Sequence, residues 1–226
     1  MAGRTSGPRS SAHRALRAAI IATARAMNAH GINRGKSGNV SARTPGARYD
    51  GFLITPTGMP YDTMRPRDIV AVSPRGEAHG ARLPSSEWRF HHDLYRVRDD
   101  LRAIVHAHSP FATALACLRR GIPAFHYMVA VAGGRDIRCA PYRTFGTQAL
   151  ADRVVEAMEG RRACLLANHG MLAGGASLAE ALALAVEVET LAEMYWRALQ
   201  LGEPALLSAR EMEKILVRFR TYGQPR

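Results

Sequence analysis

Two histidines at the end of a short apolar stretch constrain this chain more than any other feature. The stretch Ala103–Ala107 is typical of a β-strand, and His106-Ala107-His108 ends it. Residues i and i+2 of a strand face the same side of a sheet, so both imidazoles can reach one point. Buried imidazoles need partners, which a metal ion or hydrogen bonds would supply. The sequence therefore predicts a strand here and leaves open a metal site or a hydrogen-bonded histidine pair.

A third histidine stands in the same kind of position. His169 comes shortly after the apolar run Ala163–Ala167, which we predict to be another buried strand. Gly170 follows it, and glycine allows the backbone to turn closely there. Taken alone, His169 is more typical of a hydrogen-bonded loop histidine than of a metal ligand. Its significance depends on what the fold brings near it.

Glu87 is the candidate carboxylate, and it follows Ser85 and Ser86 at the predicted start of a helix. A carboxylate there also compensates the helix dipole, so its position alone does not make it a ligand. Three histidines and one carboxylate would form a tetrahedral zinc site with an exchangeable position. His91 lies one turn after Glu87 and could pair with it on a metal, but we interpret His91 and His92 as surface or packing histidines.

Helical and strand-like stretches alternate along the chain, and no linker or internal repeat divides it. We predict helices from Ser11 to Gly31 and over residues 85–98, 109–118, 178–201 and 209–219. Predicted strands follow Gly38 and cover residues 51–55, 69–73, 103–107 and 163–167. This mixture predicts α/β layers around one sheet, in a single domain over residues 12–226 that follows a flexible basic tail at residues 1–11.

Composition excludes several classes of protein. At 226 residues, with 47% hydrophobic and 22% charged residues, the chain can bury a sizeable core and is not mainly disordered. It has no apolar run near the ~20 residues that span a bilayer, and no signal-peptide pattern. Its three cysteines form neither an even set nor a CxxC pair. We therefore expect a cytoplasmic protein with no membrane partner.

The net charge of +12 raises nucleic acid as a partner. However, the basic residues are arginines spread along the chain, apart from Lys36 and Lys214. No zinc-finger spacing or RNP-like aromatic motif accompanies them. We therefore expect the excess positive charge to favour small anionic substrates and do not expect specific nucleic-acid binding.

Short turns with small and hydroxyl-bearing residues predict a phosphate site. Ser85 and Ser86 precede the free N–H groups of a predicted helix, which is a favourable place for an anion. Gly38-Asn39 and Thr57-Gly58 are two further turns that offer donors. Neither GxxxxGK[ST] nor a strand-linked GxGxxG occurs, so nucleotide binding is disfavoured. A phosphorylated metabolite suits these donors better.

Taken in order along the chain, the motifs resemble those of the class II aldolase/epimerase family, and most closely its ketose-1-phosphate aldolase branch, which includes the L-fuculose-1-phosphate aldolases. The resemblance runs through nearly the whole chain from about residue 12. The matching stretches are Gly38–Ser41, Ile54–Gly58, Leu83–Phe90, Val105–His108, His126–Met128, Cys139–Tyr142, Thr144–Thr147, His169-Gly170, Phe219 and Thr221–Gly223.

The resemblance implies a three-layer α/β/α fold with a central, largely antiparallel sheet. It also implies a homotetramer with active sites between subunits. One zinc ion per subunit would be held by His106, His108, His169 and Glu87. Glu87 would also leave the metal to act as an acid and a base.

The resemblance further implies roles around the substrate. Tyr127 would reach into a neighbouring subunit's site as a proton donor, Tyr222 would help to close that site, and Phe145 would face the aldehyde. The substrate phosphate would be held by Asn39, Thr57, Gly58, Ser85 and Ser86.

Two departures from the family pattern bear on the substrate. The segment from Arg43 to Asp50 is longer than the usual connection. Asn168 precedes His169, where the fuculose enzymes commonly have a histidine. Neither departure affects the four implied ligands, but both leave the exact sugar open.

The implied reaction is reversible cleavage of a ketose 1-phosphate into dihydroxyacetone phosphate and an aldehyde. Candidate substrates are L-fuculose 1-phosphate and the 5-deoxy and 5-methylthio forms of ribulose 1-phosphate. A Schiff-base aldolase would need a desolvated lysine, which neither Lys36 nor Lys214 provides. A sugar-phosphate epimerase and a methylthioribulose-1-phosphate dehydratase are alternatives on the same scaffold. A non-catalytic basic binding module is the alternative of another class.

Overall fold

An eight-stranded sheet forms the centre of the molecule, and helices cover both of its faces. The computed structural model describes residues 8–44 and 50–221, and the structural statements below refer to those residues. The strands are β1 (Asn39–Arg43), β2 (Phe52–Ile54), β3 (Val70–Val72), β4 (Ala78–His79), β5 (Ala103–Ala107), β6 (Arg138–Ala140), β7 (Ala163–Leu166) and β8 (Gly170–Gly175). The helices are α1 (Pro8–Ala29), α2 (Trp88–Val97), α3 (Pro110–Cys117), α4 (Gln148–Ala157), α5 (Leu178–Leu201) and α6 (Ala209–Phe219).

The strand order is β4-β3-β2-β1-β5-β8-β7-β6. Neighbouring strands are antiparallel throughout, except for β6 and β7, which are parallel. The expectation of a largely antiparallel sheet is therefore confirmed. Strand β5 lies between β1 and β8 in the interior of the sheet, so its histidines emerge where three strands meet.

Alternation along β5 assigns its side chains to two separate cores. Ala103, Val105 and Ala107 pack on the side covered by α1, α3 and α5. Ile104 packs on the opposite side, which α2 and α4 cover. The predicted three-layer α/β/α arrangement is therefore confirmed. His106 shares the face of Ile104 because side chains alternate along a strand, and it lies against α2.

The sequence analysis did not predict β4, β6, β8 or α4. Strand β8 contains three glycines, which weaken any strand pattern because glycine has little β-propensity. The packing explains two of them. A Cβ on Gly174 would lie 2.9 Å from Cδ2 of Leu101, and one on Gly175 would lie 2.7 Å from the backbone nitrogen of Ala181. Gly175 thus allows the backbone of α5 to approach the sheet closely, and Gly174 leaves room for the buried side chain of Leu101.

Two helix starts differ from the prediction. Helix α1 begins at Pro8, before Ser11, so it includes residues that the sequence analysis assigned to the tail, while residues 1–7 lie outside the described residues. Helix α2 begins at Trp88, with Glu87 at its N-cap. The described helices include none that combines the length and the apolar character needed to cross a membrane.

Candidate metal centre and its cleft

Four side chains predicted as ligands converge on one point at the end of β5. Glu87, His106, His108 and His169 each present a ligand atom, and these atoms all lie within 4.8 Å of one another. Nε2 of His106 is 3.1 Å from Nε2 of His108 and 3.1 Å from Oε2 of Glu87. Nε2 of His169 is 2.9 Å from Oε1 of Glu87. The structure therefore brings together all four residues.

The spacing and chemistry of these atoms fit a metal ion. Ligands about 2.0–2.1 Å from a tetrahedral zinc ion stand roughly 3.3 Å apart, close to the separations in this cluster. Nδ1–H of His106 donates to the backbone carbonyl of Met171 at 2.9 Å. This bond leaves the lone pair of the neutral ring on Nε2, which faces the cluster, as is usual for histidines that bind metals.

The turn after β7 positions His169. Asn168 adopts a left-handed conformation with φ of 55°, which asparagine tolerates better than most residues. Its side chain is held on both sides, because Nδ2 donates to the carbonyl of Cys117 and Oδ1 accepts from Nε of Arg119. Asn168, at which the chain departs from the fuculose-type pattern, thus helps to position the candidate ligand His169.

Glu87 is placed by the start of α2, at the N-cap position and not in the first turn that the sequence predicted. The hydroxyl of Ser85 accepts the N–H of Glu87, and the carbonyl of Ser85 accepts the N–H of Trp88. The carboxylate of Glu87 makes no capping bond and turns to the histidines instead. The side chain is therefore directed to His106 and His169, as expected of the candidate carboxylate, and not to the end of the helix.

The protonation of the cluster follows from its burial and charges. Burial alone would raise the pKa of Glu87, but His106 and His169 outweigh it and hold that pKa well below its usual range. Burial opposes a charge on His106 as well, but the Glu87 carboxylate raises the pKa of this ring. Burial and the neighbouring His106 and His169 lower the pKa of His108 to about 4. At neutral pH the cluster thus offers an ionised carboxylate and a neutral imidazole at His108.

Behind Glu87 lies a group of buried polar side chains. Nδ2 of Asn39 donates to Oε2 of Glu87 at 2.9 Å, and Oδ1 of Asn39 lies 2.5 Å from Nε2 of His91. Nδ1 of His91 is 2.7 Å from the hydroxyl of Ser41. His91 is fully buried and bonded to polar partners, so it is not a surface histidine, and it is not one of the four clustered ligands.

A cleft of about 360 Å³ opens over the cluster. Phe145, predicted to face the aldehyde, lines it, and so does Ser86. Tyr142 and Arg143 also line it, and the sequence analysis did not select them as site residues. The available signal was their place in the sequence, because Tyr142 ends one stretch matched to the family and Arg143 separates it from the stretch that contains Phe145.

The turns predicted to hold phosphate lie next to each other. The N–H of Thr57 donates to the carbonyl of Leu83, and the N–H of Ser85 donates to the carbonyl of Thr55. These bonds place the Thr57-Gly58 turn beside the start of α2. Gly58 has a φ of 65°, which a residue with a Cβ rarely adopts. Asn39 is different, because its amide is already bonded to Glu87 and His91.

Of the two predicted catalytic tyrosines, the structure describes Tyr127. Tyr127 does not line the cleft as the described part of this chain forms it. Its half-exposed ring stacks on Phe219 of α6, at a centroid distance of 6.5 Å, beside a separate cavity of about 420 Å³. Tyr222 lies outside the described residues.

Comparison with known proteins agrees with this geometry. Residues 18–196 match the family described as the class II aldolase and adducin N-terminal domain. The chain belongs to the class II aldolase family. Members of this family use a divalent metal ion, and the Glu87/His106/His108/His169 cluster can bind one. The protein is accordingly a lyase, and the alternative of a non-catalytic basic binding module is set aside.

Similar proteins narrow the type of aldolase. This chain is 56% identical to the 5-methylthioribulose-1-phosphate/5-deoxyribulose-1-phosphate aldolase of Rhodospirillum rubrum. The match extends over 209 residues, which are 92% of this chain and 93% of that protein. The chain is 46% identical over 205 residues to the L-fuculose phosphate aldolase of Escherichia coli K12, covering 90% of this chain and 94% of that protein. A solved L-fuculose 1-phosphate aldolase superposes with a TM-score of 0.88 at 40% identity, covering 97% of this chain and 100% of that one. This class II aldolase is therefore of the fuculose-phosphate and methylthioribulose-phosphate type.

Proposed function

We propose that this class II aldolase is a zinc enzyme that reversibly cleaves a ketose 1-phosphate into dihydroxyacetone phosphate and an aldehyde. The observation that carries the proposal is the convergence of Glu87, His106, His108 and His169 on one point beneath an open cleft. Three imidazoles with one carboxylate are a donor set that zinc favours, and a ligand able to leave opens a position for substrate. We propose one zinc ion per subunit.

The two relatives described above have different substrates. The cleft favours a sugar whose end remote from the phosphate is apolar. The rings of Tyr142 and Phe145 line the wall of the cleft, where an aldehyde with a methyl or methylthio end would contact them. The 56% identity to the Rhodospirillum rubrum aldolase leads us to propose 5-methylthioribulose 1-phosphate or 5-deoxyribulose 1-phosphate as the first substrates. L-Fuculose 1-phosphate is the next candidate.

The phosphate would be held by the two neighbouring turns at the start of α2. The hydroxyl of Ser85 accepts the N–H of Glu87 and keeps its own proton free to donate. Ser86 is exposed at the cleft, and Thr57 and Gly58 lie next to Ser85. Asn39 would contribute through the second N–H of its amide, since each amide nitrogen carries two. Fixing the phosphate here would hold the reacting carbons over the cluster.

Bound zinc would supply Lewis acidity, which stabilises negative charge on the substrate oxygens as the carbon–carbon bond breaks. Glu87 would exchange the proton at C3 of the triose portion, because its carboxylate lies at the centre of the site and is held in its ionised form. Tyr127 would donate and accept the proton of the C4 oxygen, and Tyr222 would help to close the site.

Because Tyr127 lies away from the cleft of its own chain, this role requires a second subunit. Its ring is half exposed and borders a cavity with Phe219 and Ile215 on α6, a surface that a neighbouring subunit would cover. We propose a homotetramer in which Tyr127 of one subunit completes the site of the next. We also propose a cytoplasmic location, in keeping with the free thiols of Cys117, Cys139 and Cys164.

The test is the release of dihydroxyacetone phosphate from the three candidate ketose 1-phosphates, followed with a coupled dehydrogenase. We expect release from at least one of them, with the highest kcat/KM for a 5-methylthio or 5-deoxy substrate. If none of them yields the triose phosphate, the proposal is wrong. Epimerisation of ribulose 5-phosphate and dehydration of methylthioribulose 1-phosphate would then be assayed on the same protein.

A further inference from the structure

A continuous line of hydrogen bonds connects Tyr95, deep in α2, to the carboxylate of Glu87. The hydroxyls of Tyr95 and Ser41 lie 2.8 Å apart, and the Ser41 hydroxyl lies 2.7 Å from Nδ1 of His91. Nε2 of His91 lies 2.5 Å from Oδ1 of Asn39, whose Nδ2 donates to Oε2 of Glu87 at 2.9 Å. The line joins residues of β1 to residues of α2 and its N-cap.

The chemistry of each group fixes the direction of every bond. A carboxylate only accepts, so Asn39 must turn its NH₂ group towards Glu87 and its carbonyl oxygen towards His91. That oxygen also only accepts, so Nε2 of His91 must carry the proton. Nδ1 of the neutral ring is then an acceptor for the hydroxyl of Ser41, which can accept in turn from Tyr95. Donation therefore runs from Tyr95 towards Glu87 without a break.

Burial makes this arrangement hard to replace. Ser41 and His91 are 0% exposed, Tyr95 is 1% exposed and Asn39 is 2% exposed. A buried amide that loses one partner is left with an unsatisfied oxygen, because no bulk water can reach it. The Asn39 amide is then held only by its bond to Glu87, so it can tilt into the space left by the ring and carry the Glu87 carboxylate with it.

We propose that His91 is a positioning residue that acts on Glu87 through Asn39. Its Nε2–H holds the amide oxygen of Asn39 and thereby keeps the Nδ2 group in place to donate to Oε2 of Glu87. The carboxylate is thereby held facing the three histidines while remaining free to leave a bound metal. The part of this inference that concerns catalysis rests on the proposed function, whereas the part that concerns metal binding does not.

His92 provides a matched control within the same helix. It neighbours His91, is also buried, and also lies beside Phe52. Its ring nitrogens contact Oδ1 of Asp93 at 2.9 Å and the carbonyl of Pro74 at 3.1 Å. Neither contact leads to Asn39. Replacing His92 thus removes from α2 a buried ring comparable to that of His91, and it leaves the Asn39 amide undisturbed.

The experiment compares His91→Leu, His91→Gln, Ser41→Ala and His92→Leu in the full chain. Zinc affinity is measured by competition with a chromophoric chelator, and the visible spectrum of the cobalt-loaded protein reports ligand geometry. For His91→Leu we expect zinc affinity to fall on the order of 10- to 100-fold, as for other changes to groups that orient metal ligands. His91→Gln keeps an N–H near the position of Nε2 and should restore most of the affinity.

Ser41→Ala keeps the His91 ring but removes the donor to its Nδ1, so its effect should be smaller than that of His91→Leu. His92→Leu should leave the affinity and the cobalt spectrum unchanged. The inference is overturned if His91→Leu binds zinc as the wild type does, or if His92→Leu weakens binding equally. If His91→Leu does not fold, an unchanged affinity in Ser41→Ala together with a loss in His91→Gln would also overturn it.

Kinetics separate this inference from the proposed function. If the wild type cleaves a ketose 1-phosphate, zinc-saturated His91→Leu should lose kcat by a larger factor than KM rises, because only Asn39 of the proposed phosphate-binding residues contacts His91. If the wild type cleaves none of the tested substrates, the proposed function fails while the zinc affinities still decide the role of His91.

Discussion

Gly170 packs directly against the ring of His108. A Cβ on Gly170 would lie 2.9 Å from Cδ2 of His108 and 2.6 Å from the backbone oxygen of Ala107. Real side chains do not approach so closely, so any larger residue at this position must displace the His108 ring or the end of β5. The glycine after His169 therefore supports a different histidine of the same cluster.

This contact predicts that Gly170→Ala weakens metal binding. The extra methyl group should displace His108 from the cluster, and overpacking of this kind costs about 1–3 kcal/mol. Zinc affinity measured by chelator competition should fall. Gly174→Ala is the control, because its Cβ would collide with Leu101 of the core and not with a histidine. That variant should lose stability but keep its zinc affinity, and equal affinities in the two variants would contradict the account.

Glu87→Gln should show how much of the activity depends on the charge of this side chain, because glutamine has nearly the same shape as glutamate. The amide can still accept from Asn39, but it cannot carry the C3 proton as a carboxylate does. We expect kcat to fall by about 10²- to 10⁴-fold, the usual contribution of a general acid or base, with a much smaller change in KM. Steady-state kinetics with saturating zinc provide the measurement. A kcat within a few-fold of the wild type would show that another group moves the proton.

Mixed oligomers test whether Tyr127 serves a neighbouring subunit. Tyr127→Phe and Glu87→Gln should each be nearly inactive alone. After the two proteins are unfolded together and refolded, some sites will combine an intact Glu87 with an intact Tyr127 from the adjacent subunit. Activity should therefore return to a fraction of the wild-type value. Mixing without subunit exchange is the control, and no recovery after exchange would place Tyr127 outside the shared site.

The fully buried ring of His91 predicts a pH dependence of stability. Burial, aided by His106, lowers the pKa of His91 to about 3. Above about pH 6.5 this histidine is neutral in both the folded and unfolded states. As the pH falls from about 6.5 towards 3, the unfolded chain binds a proton here that the folded chain does not. This histidine therefore makes the free energy of unfolding fall with decreasing pH, at up to ~1.4 kcal/mol per pH unit.

His91→Gln removes the titrating ring and keeps a donor. Urea unfolding of both proteins with a chelator present, at several pH values between 7 and 4, measures the difference. The wild type should lose stability more steeply than His91→Gln over this range. Parallel curves would mean that His91 is not held neutral by burial.

The sequence predicted that His106 and His108 lie together because a local rule governs them. The i, i+2 spacing of His106 and His108 fixes their common face once β5 is a strand, and an apolar run marks that strand. Glu87 was the candidate carboxylate, but its local position at a helix start is equally typical of an acid that compensates the helix dipole, and only the family resemblance implied it as the fourth ligand. Its actual role depends on histidines that only the folded sheet brings near it.

The rest of the site depends on contacts between distant parts of the chain. His91 and Asn39 are 52 positions apart, so no local pattern connects them, and a buried histidine on a helix is usually part of the packing. Strand β8 was missed because its glycines, required by close packing, remove the strand signal. In both cases the role of the residues depends on tertiary contacts, which a local sequence pattern does not show.

The most direct test of the central claim is to remove the metal and return it. The protein would be dialysed against a strong chelator, freed of it, and titrated with zinc while the release of dihydroxyacetone phosphate from 5-methylthioribulose 1-phosphate is measured. We expect activity to be lost when the metal is removed and to rise linearly with added zinc until one ion is bound per subunit. Full activity in the metal-free protein would contradict the central claim.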